Sequence, residues 1–231
     1  MNRNVNIALL ASKNVAILLV DTCLLLDVIR DVTRDSVFMN DITAGLHILS
    51  KAEVGNEVFI LMAQQVEVEL KDNESLVEDS SVGILERFIN RVNKVDDISS
   101  KYGSTNKIST THLTDHVSRT KVVLERWKKI VYLVPQKKGI VDKAFARVGQ
   151  NIAPAKKGKD SMKDCVVTET YLDVARELRN AGLTAPIVFA SSNTKDYCEA
   201  NNLAQGLVND FKLYNITFSP NFGGAKHFLG I

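Results

Sequence analysis

Residues 15–20 read VAILLV, six apolar residues in a row that end at an acid, Asp21. The run is too short for a stable helix and has no polar face. Rich in branched aliphatics, it fits a strand buried on both faces of a parallel sheet. Asp21 then stands at the carboxyl end of that strand, where a carboxylate needs a partner to offset lost hydration. Similar runs occur at residues 57–62 (EVFILM) and 185–191 (APIVFAS), and a last strand is predicted over 211–218. Helical spacing is found over 32–52, 64–71, 80–95, 114–134 and 139–148, then in a helix capped by Asp160 or Ser161 that runs to about 181, and again from Asp196 onward. Residues 96–111 and 151–159 read as loops. Strands alternating with helices predict an α/β domain with a parallel sheet, whose ligand site lies beyond the carboxyl ends of the strands.

With 231 residues, 45% of them hydrophobic, the chain can bury a large core without disulfides or a structural metal. Its three cysteines, Cys23, Cys165 and Cys198, are scattered and odd in number, which suggests a reducing compartment. The apolar N-terminal region is interrupted by Asn, Ser and Lys, and no later stretch is long enough to span a bilayer. A cytoplasmic protein without membrane contact is expected. Charge is unevenly spread: residues 119–163 hold 13 Lys and Arg against 3 Asp and Glu, and the rest of the chain holds 16 against 24. A basic block on an otherwise acidic chain is a candidate polyanion contact, the alternative being a solvated helix and loop.

Acidic residues gather at four places: Asp21; Glu67 and Glu69; Asp160 and Asp164; and Asp196 with Asn193. If a helix starts at Asp160, its carboxylate and that of Asp164 share a face, and a cation would relieve their repulsion. Hard divalent ions take carboxylate oxygen.

These segments bear a family resemblance. VDTCLLLDVI resembles the opening motif of PIN-like nucleases, a hydrophobic strand followed by Asp-Thr. VEVELK resembles the second motif, carried here by Glu69, with Glu67 two residues away as the alternative. KGKDSMKDCVVTETYLDVA resembles the third, placing its acid at Asp164 with Asp160 added. VFASSNTKDYCE resembles the last, mapping to Ser191, Asn193 and Asp196. The stretch around Gly158 to Asp164 is most similar to the larger bacterial branch. The sequence departs from the pattern at Cys23, where Asn is common, and at Asn193, where many relatives carry an acid.

The resemblance implies a three-layer α/β/α domain over 1–231 with a mostly parallel sheet, residues 72–155 forming a helical insertion. It implies catalysis by Asp21, Glu69, Asp160, Asp164 and Asp196. Mg²⁺ or Mn²⁺ would be held by Asp21, Glu69, Asp164, Asn193 and Asp196, as one ion or two. The activity implied is hydrolysis of RNA phosphodiester bonds, with DNA as an alternative substrate. An inhibitor or regulatory protein is a further expected partner. Lys156, Lys157, Lys159 and Lys163 would offset the acids toward a nucleic-acid backbone. Two other readings stay open: a catalytically inactive PIN-like module that binds RNA or protein, and an unrelated doubly wound domain.

Weaker signals are read structurally. His112 and His116 have zinc-binding spacing but no third ligand, so a surface helix is expected. Trp127 and Tyr132 are expected as core anchors, with base stacking the alternative. NFGGAKHF near the C-terminus lacks phosphate-loop spacing and is expected as a turn without a following helix.

Overall fold

A computed structural model describes residues 3–200 and 202–231. Strand β1 (Arg3–Asn4) and helix α1 (Ile7–Lys13) precede β2 (Ala16–Val20), which runs into the short helix α2 (Thr22–Leu26). Helix α3 (Met39–Val54) leads to β3 (Val58–Ala63), then α4 (Gln64–Lys101), α5 (His116–Ile130), β4 (Tyr132–Val134) and α6 (Ile140–Gly149). Helix α7 (Met162–Asn180) returns the chain to β5 (Ile187–Ala190) and the one-turn helix α8 (Thr194–Tyr197). A small antiparallel ribbon of β6 (Cys198–Glu199) and β7 (Asn202–Leu203) follows, then α9 (Gln205–Leu213), β8 (Ile216–Ser219) and α10 (Phe222–Leu229).

The central sheet has the order β1-β4-β3-β2-β5-β8, and every pairing in it is parallel. Helices flank it, α3 with α5 and α10 in one group, α7 with α1, α4 and α6 in another. This is the expected α/β/α arrangement. All residues of β2, β3 and β5 are buried, as required of strands covered on both faces. No helix among the described residues is long and apolar enough to cross a membrane.

Several elements differ from expectation. The helix expected over 32–52 begins only at Met39, because residues 31–38 turn back on themselves through an Asp31 side chain that accepts from the backbone N–H and hydroxyl of Thr33. The two helices expected at 64–71 and 80–95 are one, α4, which also takes in residues 96–101 of the expected loop. No Gly or Pro breaks positions 72–79, so nothing stops it. The helix expected to reach 134 ends at Ile130, and residues 132–134 join the sheet as β4. Asp196 does not start a long helix but lies in α8, and Phe211 belongs to α9 while the last strand starts at Ile216. The C-terminal glycines sit inside a helix after all, since the Asn221 side chain caps α10 by accepting from Gly224 N–H at 2.8 Å. The opening segment, where the sequence predicts no element before residue 15, holds β1 and α1.

One feature of the sheet positions everything beyond it. The β2–β3 ladder stops at the Val20–Met62 pair. Past that point Tyr171 of α7, almost fully buried, inserts its hydroxyl between the strands. It donates to Val20 O and accepts from Ala63 N–H at 3.0 Å. The strands can part there without leaving backbone groups unpaired. Tyr171→Phe removes both bonds and orphans two buried groups, at a cost of about 2–3 kcal/mol. Thermal unfolding should then occur roughly 5–10 °C lower. An unchanged Tm would show that the strands close without the hydroxyl.

Candidate acidic site at the strand ends

Adjacent strands β2 and β5 send the chain onward in opposite directions, to β3 on one side and eventually β8 on the other. A crevice opens at such a switch point, beyond the carboxyl ends. Asp21 stands at the end of β2 and Ser191 at the end of β5. Asp21 is only 5% exposed. Its Oδ1 accepts from Thr22 N–H at 2.8 Å, capping α2, and its Oδ2 accepts from the Ser191 hydroxyl and from Cys23 Sγ at 3.1 Å. Burial raises the Asp21 pKa, against the pull of these three donors, and the charge of Asp196 adds to the rise. The same burial, with Asp21 alongside, pushes the Cys23 thiol up to about 12. Cys23 is therefore a neutral donor to the carboxylate at ordinary pH.

Glu69 reaches the crevice from the second turn of α4. Thr22 Oγ1 donates to its Oε2 at 3.1 Å, and Gln65 Nε2 donates to its Oε1 at 2.9 Å. Glu67 pairs with Lys71 instead, at 3.1 Å. In a helix two residues differ by about 200° of rotation, so only one of the pair can face Thr22.

Asp164 comes from the first turn of α7 and lies on the same helix face as Thr168 and Tyr171 further along. Its pKa is raised to about 7, first by burial, then by Asp21, Asp196 and Glu69, while Lys159 pulls it down. These charges are close enough to oppose one another's ionisation. Asp196 in α8 is 3% exposed, accepts from Asn193 Nδ2 at 2.7 Å, and is held by the Lys159 ammonium on both oxygens. Ser191 Oγ also accepts from Asn193 N–H at 3.2 Å, which ties α8 to the Asp21 carboxylate.

The crevice thus brings together Asp21, Glu69, Asp164, Asn193 and Asp196. It does not bring in Asp160. The helix starts at Met162, so Asp160 lies before it, exposed, and accepts weakly from Met162 N–H at 3.4 Å. The four-residue spacing to Asp164 would place both on one face only inside a helix. Part of the basic block is ion-paired. Lys121 pairs with Glu78, Arg126 with Glu53, Lys128 with Glu74 and Glu125, Lys137 with Glu177, and Arg147 with Glu169 and Asp210. All of these partners but Glu125 come from outside the block. Of the four candidate lysines, Lys159 turns inward to Asp196, Lys156 bonds Lys195 O, and Lys157 and Lys163 point away from the core. His112 lies in a 3-10 turn and His116 opens α5, so they do not share a helix. Trp127 is buried and stacks on Phe222, as expected of a core anchor.

Sequence reasoning missed Tyr171 and the second role of Cys23. It also missed the group formed by Asp27 with Arg30 and Arg34, each guanidinium 3.2 Å from Asp27 Oδ1, and with the Ser192 hydroxyl, which donates to Asp27 Oδ2. Asp27 lies in the first motif, close behind Asp21, but its partners are unmarked.

All the acids that meet here offer oxygen, which suits a hard divalent cation such as Mg²⁺ or Mn²⁺. Among the described residues no group of three or more His, Cys, Asp or Glu is already placed to hold one ion. Asp196 is engaged with Lys159 and Asp21 with three donors, so ion binding requires these side chains to re-aim.

An acid with a folded pKa of about 7 against an ordinary 3.8 keeps its proton longer when folded. Stability therefore falls as pH rises between those values, and the loss is complete above about 7. In metal-free buffer Asp164→Asn should raise stability at pH 8 by on the order of 2 kcal/mol, allowing for partial solvent screening, and change little near pH 4. Thermal melts across pH would test this. Equal effects at both pH values would mean the carboxylate is not under repulsion.

A model of the PIN domain family matches residues 18–197, a span that contains every crevice residue named above. No curated protein and no solved structure matches the chain.

Proposed function

The chain belongs to the PIN domain family, a nuclease-type fold, and on that premise we propose that it is a metal-dependent nuclease that hydrolyses phosphodiester bonds of single-stranded or structured RNA. The observation that carries this is the convergence of Asp21, Glu69, Asp164 and Asp196, whose mutual repulsion adds to burial in holding Asp164 near 7. Like charges are retained together at such cost where a cation joins them. We read the chain as one PIN-like domain over 1–231, with 72–155 as its largely helical insertion.

Asp21, Glu69, Asp164, Asn193 and Asp196 are the residues that would hold Mg²⁺ or Mn²⁺, and Asp160 is left out of the set. When bound, such an ion supplies a Lewis acid and a water of lowered pKa for attack on phosphorus. The chain's own groups fix the geometry. Ser191 and Thr22 N–H set the plane of the Asp21 carboxylate, and Thr22 Oγ1 and Gln65 aim Glu69. Lys159 neutralises Asp196 and, once released from it, can face a phosphate. Lys156, Lys157 and Lys163 extend positive charge along the approach. An inactive binding module is the second reading, favoured by Asn193, which adds no charge, and by Lys159 occupying Asp196.

Cleavage of labelled RNA decides between the two, with DNA run alongside. Cleavage should require Mn²⁺ or Mg²⁺ and stop with chelator. Asp21→Asn or Asp164→Asn should slow it about a hundredfold or more, as loss of one charge-stabilising group does. Metal-independent turnover, or none at all in the wild type, would overturn the nuclease reading. In the Asp164→Asn background, replacing Lys156, Lys157 and Lys163 by Ala should flatten the salt dependence of RNA binding, by about 0.7 for each lysine that neutralises a phosphate. An unchanged slope would place the strand on another face.

A further inference from the structure

Beside the acidic crevice lies a cavity of about 450 Å³, between the loop after α2, helix α3, helix α5 and the start of α10. That volume falls in the range of small-molecule sites. Its connection to the crevice is covalent and short. Ser191 donates to Asp21, and the next residue, Ser192, lines the cavity and donates to Asp27. Asp27 in turn holds Arg30 and Arg34 on the cavity wall.

The lining is mostly apolar, with aromatic rings and a few polar edges. Trp127 and Phe222, both buried, stack on each other with centroids 5.2 Å apart and back the cavity floor, and Phe38 is 61% exposed at the loop. Asp41 Oδ1 and Asn221 Oδ1 accept from Gly223 and Gly224 N–H, which leaves Asp41 Oδ2 and Asn221 Nδ2 without a hydrogen bond among the described residues. One is an acceptor and one a donor, and both residues line the cavity. A guanidinium has five N–H donors. Arg30 uses one, on Asp27, and Arg34 uses two, on Asp27 and Asp31 O. Both side chains are about one-third exposed.

A flat aromatic ring with mixed donor and acceptor edges, joined to an anion, matches these features. We propose that the cavity is a nucleobase pocket that seats one base of a single-stranded substrate beside the scissile phosphate, while Arg30 and Arg34 hold the adjoining phosphate. Apolar walls take the ring faces, as in other single-strand sites, and Asp41 and Asn221 meet its edge. The proposal rests on the nuclease reading for the identity of its ligand. It adds a determinant of substrate choice to a site whose carboxylates cannot tell one base from another.

Trp127 is the chain's sole tryptophan and lines the cavity, so its fluorescence reports occupancy. The whole protein, in chelator, is titrated with the four nucleoside 5′-monophosphates and with ribose 5-phosphate, and calorimetry repeats each titration. Saturable binding of at least one nucleotide is expected, with ribose 5-phosphate weaker by about tenfold or more, the effect of leaving out one stacked base. Leu46→Phe, at a half-exposed position on α3, fills the mouth and should weaken nucleotide binding to a similar degree. Arg30→Ala should weaken nucleotide and ribose phosphate together. Equal binding of ribose 5-phosphate and nucleotides would reduce the site to a phosphate contact and overturn the proposal. Absence of binding by both methods would overturn it too, as would an amphipathic helical peptide binding in place of nucleotides. Nucleotide binding by a wild type that cleaves no RNA would leave the pocket standing and remove the nuclease reading alone.

Discussion

A carboxylate that water scarcely reaches governs this structure. Asp21 ends a fully buried strand of the sheet, and three donors from two segments must hold it there. Two of them fix more than Asp21. The Thr22 N–H starts α2, the Ser191 hydroxyl registers the end of β5, and the Ser191 oxygen then accepts the Asn193 N–H that starts α8. The Tyr171 bridge belongs to the same arrangement, because it lets β2 and β3 separate at the residue where Asp21 must turn out of the sheet. Fold and site are therefore not separable layers here.

The electrostatics divide into two regimes. Around the crevice the carboxylates outnumber their partners, and Asp164 is pushed up to about 7. Over the rest of the molecule, cations of the basic block form ion pairs that join α5, α6 and the loop before α6 to α4, α7, α9 and the end of α3. Most of these pairs are exposed and each contributes little to stability. Arg147 is the exception. It is buried, bonded to Ala153 O as well as to Glu169 and Asp210, and its removal would strand charge inside the protein.

What could be read in the sequence followed from strong local physics. The all-apolar runs of β2, β3 and β5 admit little else than buried parallel strands, and Asp21 is legible because it breaks such a run. β4 was hidden because its three residues continue the apolar spacing of α5, and only pairing with β3 and β1 makes them a strand. Of the two caps open to α7, Asp160 and Ser161, the structure uses Ser161, which leaves Asp160 outside the helix. The ion pairs of the basic block were not legible, because charge counted along a chain says nothing of what packs across from it. Tyr171 was out of reach, since its function is set by a gap between two strands that are far away in sequence. Arg30 and Arg34 were likewise silent, being ordinary surface residues until Asp27 and Ser192 gather them.

The order in which the sheet is assembled has a bearing on synthesis. Strand β2 is made well before its neighbour β5, which follows some 170 residues later, as does the hydroxyl that holds Asp21. Contacts so distant in sequence form late, after the intervening loop has been closed. A growing or prematurely ended chain that lacks β5 has Asp21 and Glu69 but neither Ser191 nor Asp196, and one edge of β2 is left without its partner strand. The four carboxylates can come together only after residue 196 has been made. Until then Asp21 has neither the Ser191 hydroxyl nor the charge of Asp196 beside it, and the electrostatic strain of the crevice is a property that the molecule acquires late.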